Sequence, residues 1–283
     1  MRRGLPVLIV LVVLLGAATA YAKRGALRDA WEARRVEPVP AATAFRPPTP
    51  NVVAAEEAGS IEGGVSTSSN YMIVTSTSAP TSIDPLDASR PMPAQANLDV
   101  PFTSQAPYGD WAFPYQEACE EASLAMVDAF YGGMTGSIDP VAAKKAIDAV
   151  VEYQRKTKGD YLDTTAAETA QIAKGLLGYK DARVLPVRSM DDVRRVVANG
   201  FPVILPASGK ALGNPNFRNG GPLYHMLVVK GYTSTGKIVT NDPGTRKGKD
   251  YVYDPKVLFD AIHDWNGGKV TEGAKVMLVV LPN

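Results

Sequence analysis

Three side chains in this 283-residue sequence have the types needed for nucleophilic acyl transfer: Cys119, the only cysteine, His225, one of two histidines, and Asp242. A thiol becomes a nucleophile when an imidazole takes its proton and a third polar group holds that imidazole in orientation, giving a thiolate/imidazolium pair. Each residue also has a plain use. A lone cysteine serves as a small buried hydrophobe, a strand-end histidine packs, and an aspartate before Pro-Gly caps a turn. Their joint placement is what points to chemistry.

The elements that must position them follow from the local pattern. Gln116-Glu117-Ala118-Cys119 turns into an apolar-periodic run with Ala122, Leu124, Ala125, Met126, Ala129 and Phe130 on one face, stopped by Gly132-Gly133. That pattern predicts a central helix with Cys119 at its N-terminus, where unpaired N–H groups and the helix dipole favour a thiolate. Residues 223–232 read as a strand, Ser234-Thr235-Gly236 as a turn and residues 237–240 as a second strand running into Asn241-Asp242-Pro243-Gly244. Antiparallel pairing then brings His225, at the start of one strand, beside Asp242, just past the end of the other.

Around this frame, residues 98–105 read as a strand leading into a loop, 106–115, that contains Tyr108 and Trp111. Those aromatics could line a cleft or pin the loop to the core. Helices are expected over 139–153 and 164–177, and residues 184–187, 190–198 and 202–205 read as a strand-helix-strand unit. The glycine- and asparagine-rich loop 209–222 is long enough to be functional or mobile. His263 falls on a helix expected over 257–265, as a surface or packing residue or a spare base, and a closing strand at 275–281 takes the domain to its end.

Lys and Arg number 30 against 29 Asp and Glu, so no global field exists to hold nucleic acid. One cysteine and two histidines exclude an internal disulfide and a cysteine/histidine structural zinc site. There is no P-loop, no G-x-G-x-x-G after a strand and no H-E-x-x-H, and no cofactor or metal is expected. Residues 1–22 carry Arg2-Arg3, an apolar run and the ending Ala20-Tyr21-Ala22, which fits either a cleaved signal peptide or a membrane anchor. Both place the rest of the chain outside the cytoplasm, secreted or membrane-tethered. Residues 23–97 are basic at first and then rich in Pro, Ala, Ser and Thr, and read as a disordered linker that leaves 98–283 as the folded domain.

Val100-Pro101-Phe102-Thr103-Ser104-Gln105, Cys119 followed by Ala122-Ser123-Leu124-Ala125-Met126, His225-Met226-Leu227-Val228-Val229-Lys230-Gly231-Tyr232 and Asn241-Asp242-Pro243-Gly244 together resemble the papain-fold cysteine peptidases related to bacteriocin-processing double-glycine leader peptidases. The resemblance runs from about Leu98 to Pro282. It implies an α+β fold in which a nucleophile helix packs on an antiparallel sheet. It further implies Cys119 as nucleophile, His225 as base and acid, Asp242 as the residue orienting His225, and Gln105 as an oxyanion-hole side chain. The leader peptidases place that glutamine only a few residues before the cysteine, which makes Gln116 a rival. They also often have glycine after the cysteine, where this chain has Glu120 and Glu121. Acids in a first helical turn suit the dipole but oppose a thiolate, and they could instead select a basic substrate group.

The sequence therefore predicts a monomeric, exported cysteine peptidase acting on a peptide or protein substrate through a thioester, with the membrane touched only through the N-terminal segment. Two other classes share these features: a papain-fold amidase or transpeptidase on cell-wall peptides, and an inactive peptide-binding surface domain. No transporter segment follows the domain, so leader processing is not implied, and Gly63-Gly64 stands as a possible self-processing step.

Overall fold

An antiparallel sheet of seven strands organises the domain. The computed structural model describes residues 37–46 and 83–283. The strands are β1 (Ala96–Asn97), β2 (Asp181–Pro186), β3 (Val203–Ala207), β4 (His225–Tyr232), β5 (Ile238–Asn241), β6 (Tyr251–Tyr253) and β7 (Val276–Leu281), in the order β2-β7-β3-β4-β5-β6 with β1 on β4. Every residue of β3 and β4 is buried, because apolar side chains project from both faces of these strands. Five α-helices are described: α1 (Cys119–Tyr131), α2 (Pro140–Thr157), α3 (Ala166–Gly175), α4 (Met190–Ala198) and α5 (Pro255–Ala261). The fold is α+β, with the cysteine helix α1 packed on β4 and covered by α2.

Local chemistry sets the helix ends. Asp139 caps α2 through its side chain, with Pro140 in the first turn, and Thr165 and Glu168 form a reciprocal capping box at α3. Helix α1 differs, because Ala118 at its N-cap has no side chain to offer. Its first N–H groups are therefore left to other partners. At the far end Gly133, at φ 79°, stops the helix as expected.

Several elements depart from the expectation. Residues 98–105 are extended but form no continuous strand; Leu98 and Phe102 make isolated bridges to Thr43 and Ser137. Strands β2 and β3 flank α4 in sequence but are not neighbours, since β7 inserts between them. The closing strand is thus an interior one. His263 does not lie on a helix: α5 ends at Ala261, and the His263 N–H donates to Pro206 O at 3.1 Å. Strand β6 was not expected at all.

The boundary at Leu98 also shifts. Residues 37–46 and 83–97, which read as linker, lie on the domain. Thr43 pairs with the backbone beside β1, donating to Asn97 O and accepting from the Asp99 N–H at 2.8 Å each. Phe45 sets its ring against Phe130 and Tyr131 of α1, with centroids 5.4 and 5.0 Å away. Asn199 donates to Pro85 O and Asp87 O, and Tyr232 donates its hydroxyl hydrogen to Pro93 O. The expected signal or anchor segment 1–22, the basic segment and Gly63-Gly64 lie outside the described residues. Within the described residues, no helix is long and apolar enough to cross a membrane.

Candidate active site

Cys119 occupies the first turn of α1 and is 6% exposed. The Met226 N–H donates to its Sγ at 3.3 Å, so the thiol rests against the residue next to His225 on β4. On the other side Sγ donates to Glu120 Oε2 at 3.0 Å. Burial pushes the Cys119 thiol pKa well up, and the neighbouring Glu120 carboxyl pushes it further; the Met226 N–H works the other way.

The β4–β5 hairpin brings His225 and Asp242 together. His225 Nε2 lies 2.8 Å from Asp242 Oδ1, with both side chains fully buried. The carboxylate is saturated. Its Oδ1 also accepts the Gly244 N–H at 3.0 Å, and its Oδ2 accepts the Tyr253 hydroxyl at 2.6 Å and Asn214 Nδ2 at 3.2 Å. Burial alone would raise this carboxyl, but the facing His225 ring, with the Tyr253 hydroxyl and the Gly244 N–H, outweighs it and holds Asp242 below the usual carboxylate range. Asn214 Nδ2 reaches Tyr253 Oη as well, at 2.9 Å, locking the three side chains into one network.

The His225 ring is held from its sides too. Phe217 meets it edge-on, with centroids 5.3 Å apart. Gly244 passes so close that a Cβ there would sit 2.9 Å from both His225 Cε1 and Phe217 Cε1. Asn214 and Phe217 both come from the long 209–222 loop, which thus packs around the histidine and its partner Asp242.

The two blocks of the motif are stitched to each other. Asn241 Nδ2 donates to Val100 O at 2.9 Å, and Pro243 O accepts the Gln105 N–H at 3.0 Å and the Ser104 hydroxyl at 3.3 Å. The Asn-Asp-Pro-Gly turn thus holds the Val-Pro-x-x-x-Gln segment against the site. Gln105 is buried, and its Nε2 donates to Tyr115 O and Gln116 O at 2.9 Å each, fastening the 3-10 turn Tyr115–Glu117 just before Cys119. Its Oε1 is buried without a partner among the described residues. Gln116 is exposed, with its amide turned to Glu117 Oε1.

Glu120 and Glu121 are not surface residues. They are 3% and 1% exposed, which removes them as selectors of a basic substrate group. Glu120 Oε1 accepts the Thr164 N–H at 3.0 Å, and Glu121 Oε1 accepts from Gln154 Nε2. A cleft of about 780 Å3 is lined by Gln105, Trp111, Gln116, Phe217, His225 and Gly244 among others, while Tyr108 stands 62% exposed. His263 is away from this network, with Nδ1 2.9 Å from Gly273 O.

Sequence reasoning missed Asn214, Phe217, Thr164 and Tyr253. The run Tyr251-Val252-Tyr253 carried the alternation of a short strand, the one signal that could have found the last of them.

Solved structures similar to this chain include a candidate C39-like peptidase from Bacillus anthracis, at 20% identity and TM-score 0.43, covering 67% of this chain and 98% of that one. Another is a prointerpain A fragment from Prevotella intermedia, at 12% identity and TM-score 0.44, covering 68% of this chain and 74% of that one. No protein of curated function matches the sequence. The model of the peptidase C39-like family matches residues 97–269, a span that contains Gln105, Cys119, His225 and Asp242; the chain belongs to the peptidase C39-like family.

Proposed function

We propose that the chain is an exported cysteine peptidase in which the Cys119 thiolate attacks a peptide carbonyl and His225 protonates the leaving amine. Asp242, bonded to Nε2, leaves Nδ1 as the ring nitrogen for the thiol and for the leaving group. The Cys119 N–H, at an uncapped helix N-terminus, is a donor for the oxyanion. Gln105 is the better side-chain candidate beside it, since both glutamines line the cleft but Gln105 is buried and tied to the turn just before Cys119, whereas Gln116 is exposed; one Gln105 N–H must leave its carbonyl to take part. Water then releases the thioester.

The Met226 N–H to Cys119 Sγ bond carries this reading, because it seats the only thiol one strand residue from the imidazole–carboxylate pair. Export rests on the N-terminal sequence alone. An inactive peptide-binding domain is favoured by one observation, the Cys119 hydrogen bond to Glu120.

Incubation of the full chain with a mixed peptide library across about pH 5 to 8, read by mass spectrometry, separates the two. The peptidase predicts new peptide termini that vanish in Cys119→Ala and fall by on the order of 1,000-fold or more in His225→Ala. Cleavage surviving in Cys119→Ala, or none at any pH, would reject it.

A further inference from the structure

The thiol of Cys119 points its hydrogen at a carboxylate rather than toward the imidazole side of the site. Sγ donates to Glu120 Oε2 at 3.0 Å, and the other Glu120 oxygen is tied to the Thr164 N–H at 3.0 Å. Among the described residues, no cation is bonded to this carboxyl. Glu121, beside it on α1, is buried as well, and its Oε2 has no partner among the described residues. Two adjacent buried carboxyls with so few donors cannot both stay charged at low cost, so this pair is built to take up a proton.

We propose that Glu120 is a proton-operated latch on the nucleophile: ionised, it holds Cys119 as the thiol, and once protonated it releases the thiol proton to His225 and donates its own hydrogen bond to the thiolate. This deepens the peptidase reading and rests on it. The step balances. One proton from solvent binds Glu120 Oε2, the Cys119 S–H bond breaks, and its proton forms an N–H bond at His225 Nδ1. Thiol, neutral imidazole and carboxylate become thiolate, imidazolium and carboxylic acid, and the net charge of the group rises by one. The nucleophile is thus formed by acidification.

The groups facing Glu120 fit the direction of this switch. Cys119 and Glu121 lie on its own helix, Asp163 and Thr164 on the connection between α2 and α3, and Tyr224 and His225 at the start of β4. Burial raises the Glu120 carboxyl, and burial with the Glu120 charge raises Glu121 well above its ordinary range. Burial, Glu120 and Glu117 push Asp163 up to about 6. His225 is the cation of the open state and favours an ionised Glu120, so it sets the lower limit of the latch.

Because the chain has one cysteine, alkylation by iodoacetamide and the Raman S–H band both report on Cys119 alone. In the full chain, wild-type alkylation should speed up as the pH falls from about 8 to about 5, against the trend of a free thiol with a pKa of about 8.5. Glu120→Gln, a permanently neutral donor, should react at least about tenfold faster than wild type near pH 7.5 and lose the acid-side rise, while Glu121→Gln keeps that rise. A Glu120→Gln profile within twofold of wild type at every pH overturns the latch. If Glu120→Gln does not fold, the wild-type Raman spectrum decides: an S–H band present near pH 8 and lost near pH 5 supports the latch, and a band equal at both rejects it. His225→Ala tests the underlying site separately. A wild-type profile in that variant rejects the cysteine–histidine pair, whereas loss of acid-side reactivity in it together with an unchanged Glu120→Gln rejects only the latch.

Discussion

Asp242 is the most fully bonded side chain of the site, and its four hydrogen bonds come from four separate stretches of the chain. Such a carboxylate stays ionised while buried, which keeps the His225 ring in one orientation. Tyr253→Phe removes the 2.6 Å bond and leaves Asn214 as the sole donor to Oδ2. The variant should lose about 1–3 kcal/mol in denaturant unfolding, and Asp242 should titrate at higher pH, moving the acid limb of Cys119 alkylation upward. An unchanged midpoint and limb would show that the hydroxyl is idle. Cys119, His225 and Asp242 were legible because each combines a scarce or turn-forming residue type with a clear local pattern. Asn214 and Tyr253 were not, since their partners lie 28 and 11 residues away and neither shows a local sign of the contact. The acidic pair misled in the opposite way: the dipole accounts for Glu120 and Glu121 in a first helical turn, and nothing local shows that packing against α2 and the 163–164 connection buries them.

Elements were more legible than contacts where the pattern was long. Helix α4 matches its expected bounds, and α1 ends at the glycine pair, because capping and periodicity agree there. Short pieces failed. β1 and β6 have two and three residues, so even the alternation of Tyr251-Val252-Tyr253 is too brief to stand out from chance. The strap 37–46 was hidden for the same reason, since its hold on the domain comes from Thr43 and Phe45 inside a Pro- and Ala-rich run. Phe45→Ala should lower stability by about 1–2 kcal/mol, read as a shift in the denaturant midpoint, through lost aromatic packing on α1. No shift would mean that the strap is a passenger.

For the molecule as a whole, buried acids set the response to pH. Glu120, Glu121 and Asp163 have raised pKa values in the folded chain, so the native state holds more protons than the unfolded chain above about pH 4. Their contribution is full below the unfolded values and is lost as pH rises through the folded ones, which for Asp163 is about 6. Asp242 acts in reverse, contributing above the ordinary carboxylate range and losing that contribution only as pH falls below it. Thermal unfolding should therefore show its highest Tm near about pH 4–5 and a decline toward pH 8, and the pair Glu120→Gln and Glu121→Gln should flatten the decline. A Tm that climbs from about pH 5 to about pH 8 would contradict these assignments.

Residues 37–46 and 83–97 both sit on the domain, so the covalent path between them starts and finishes on the same body. A single cut anywhere in 47–82, at Gly63-Gly64 for example, would break that path without parting the pieces. The N-terminal piece would become a bound ligand of the domain, held by the Thr43 backbone pair and the Phe45 seat, and its loss would be governed by dissociation and dilution. Cutting would set a clock for release, whose rate the strap determines.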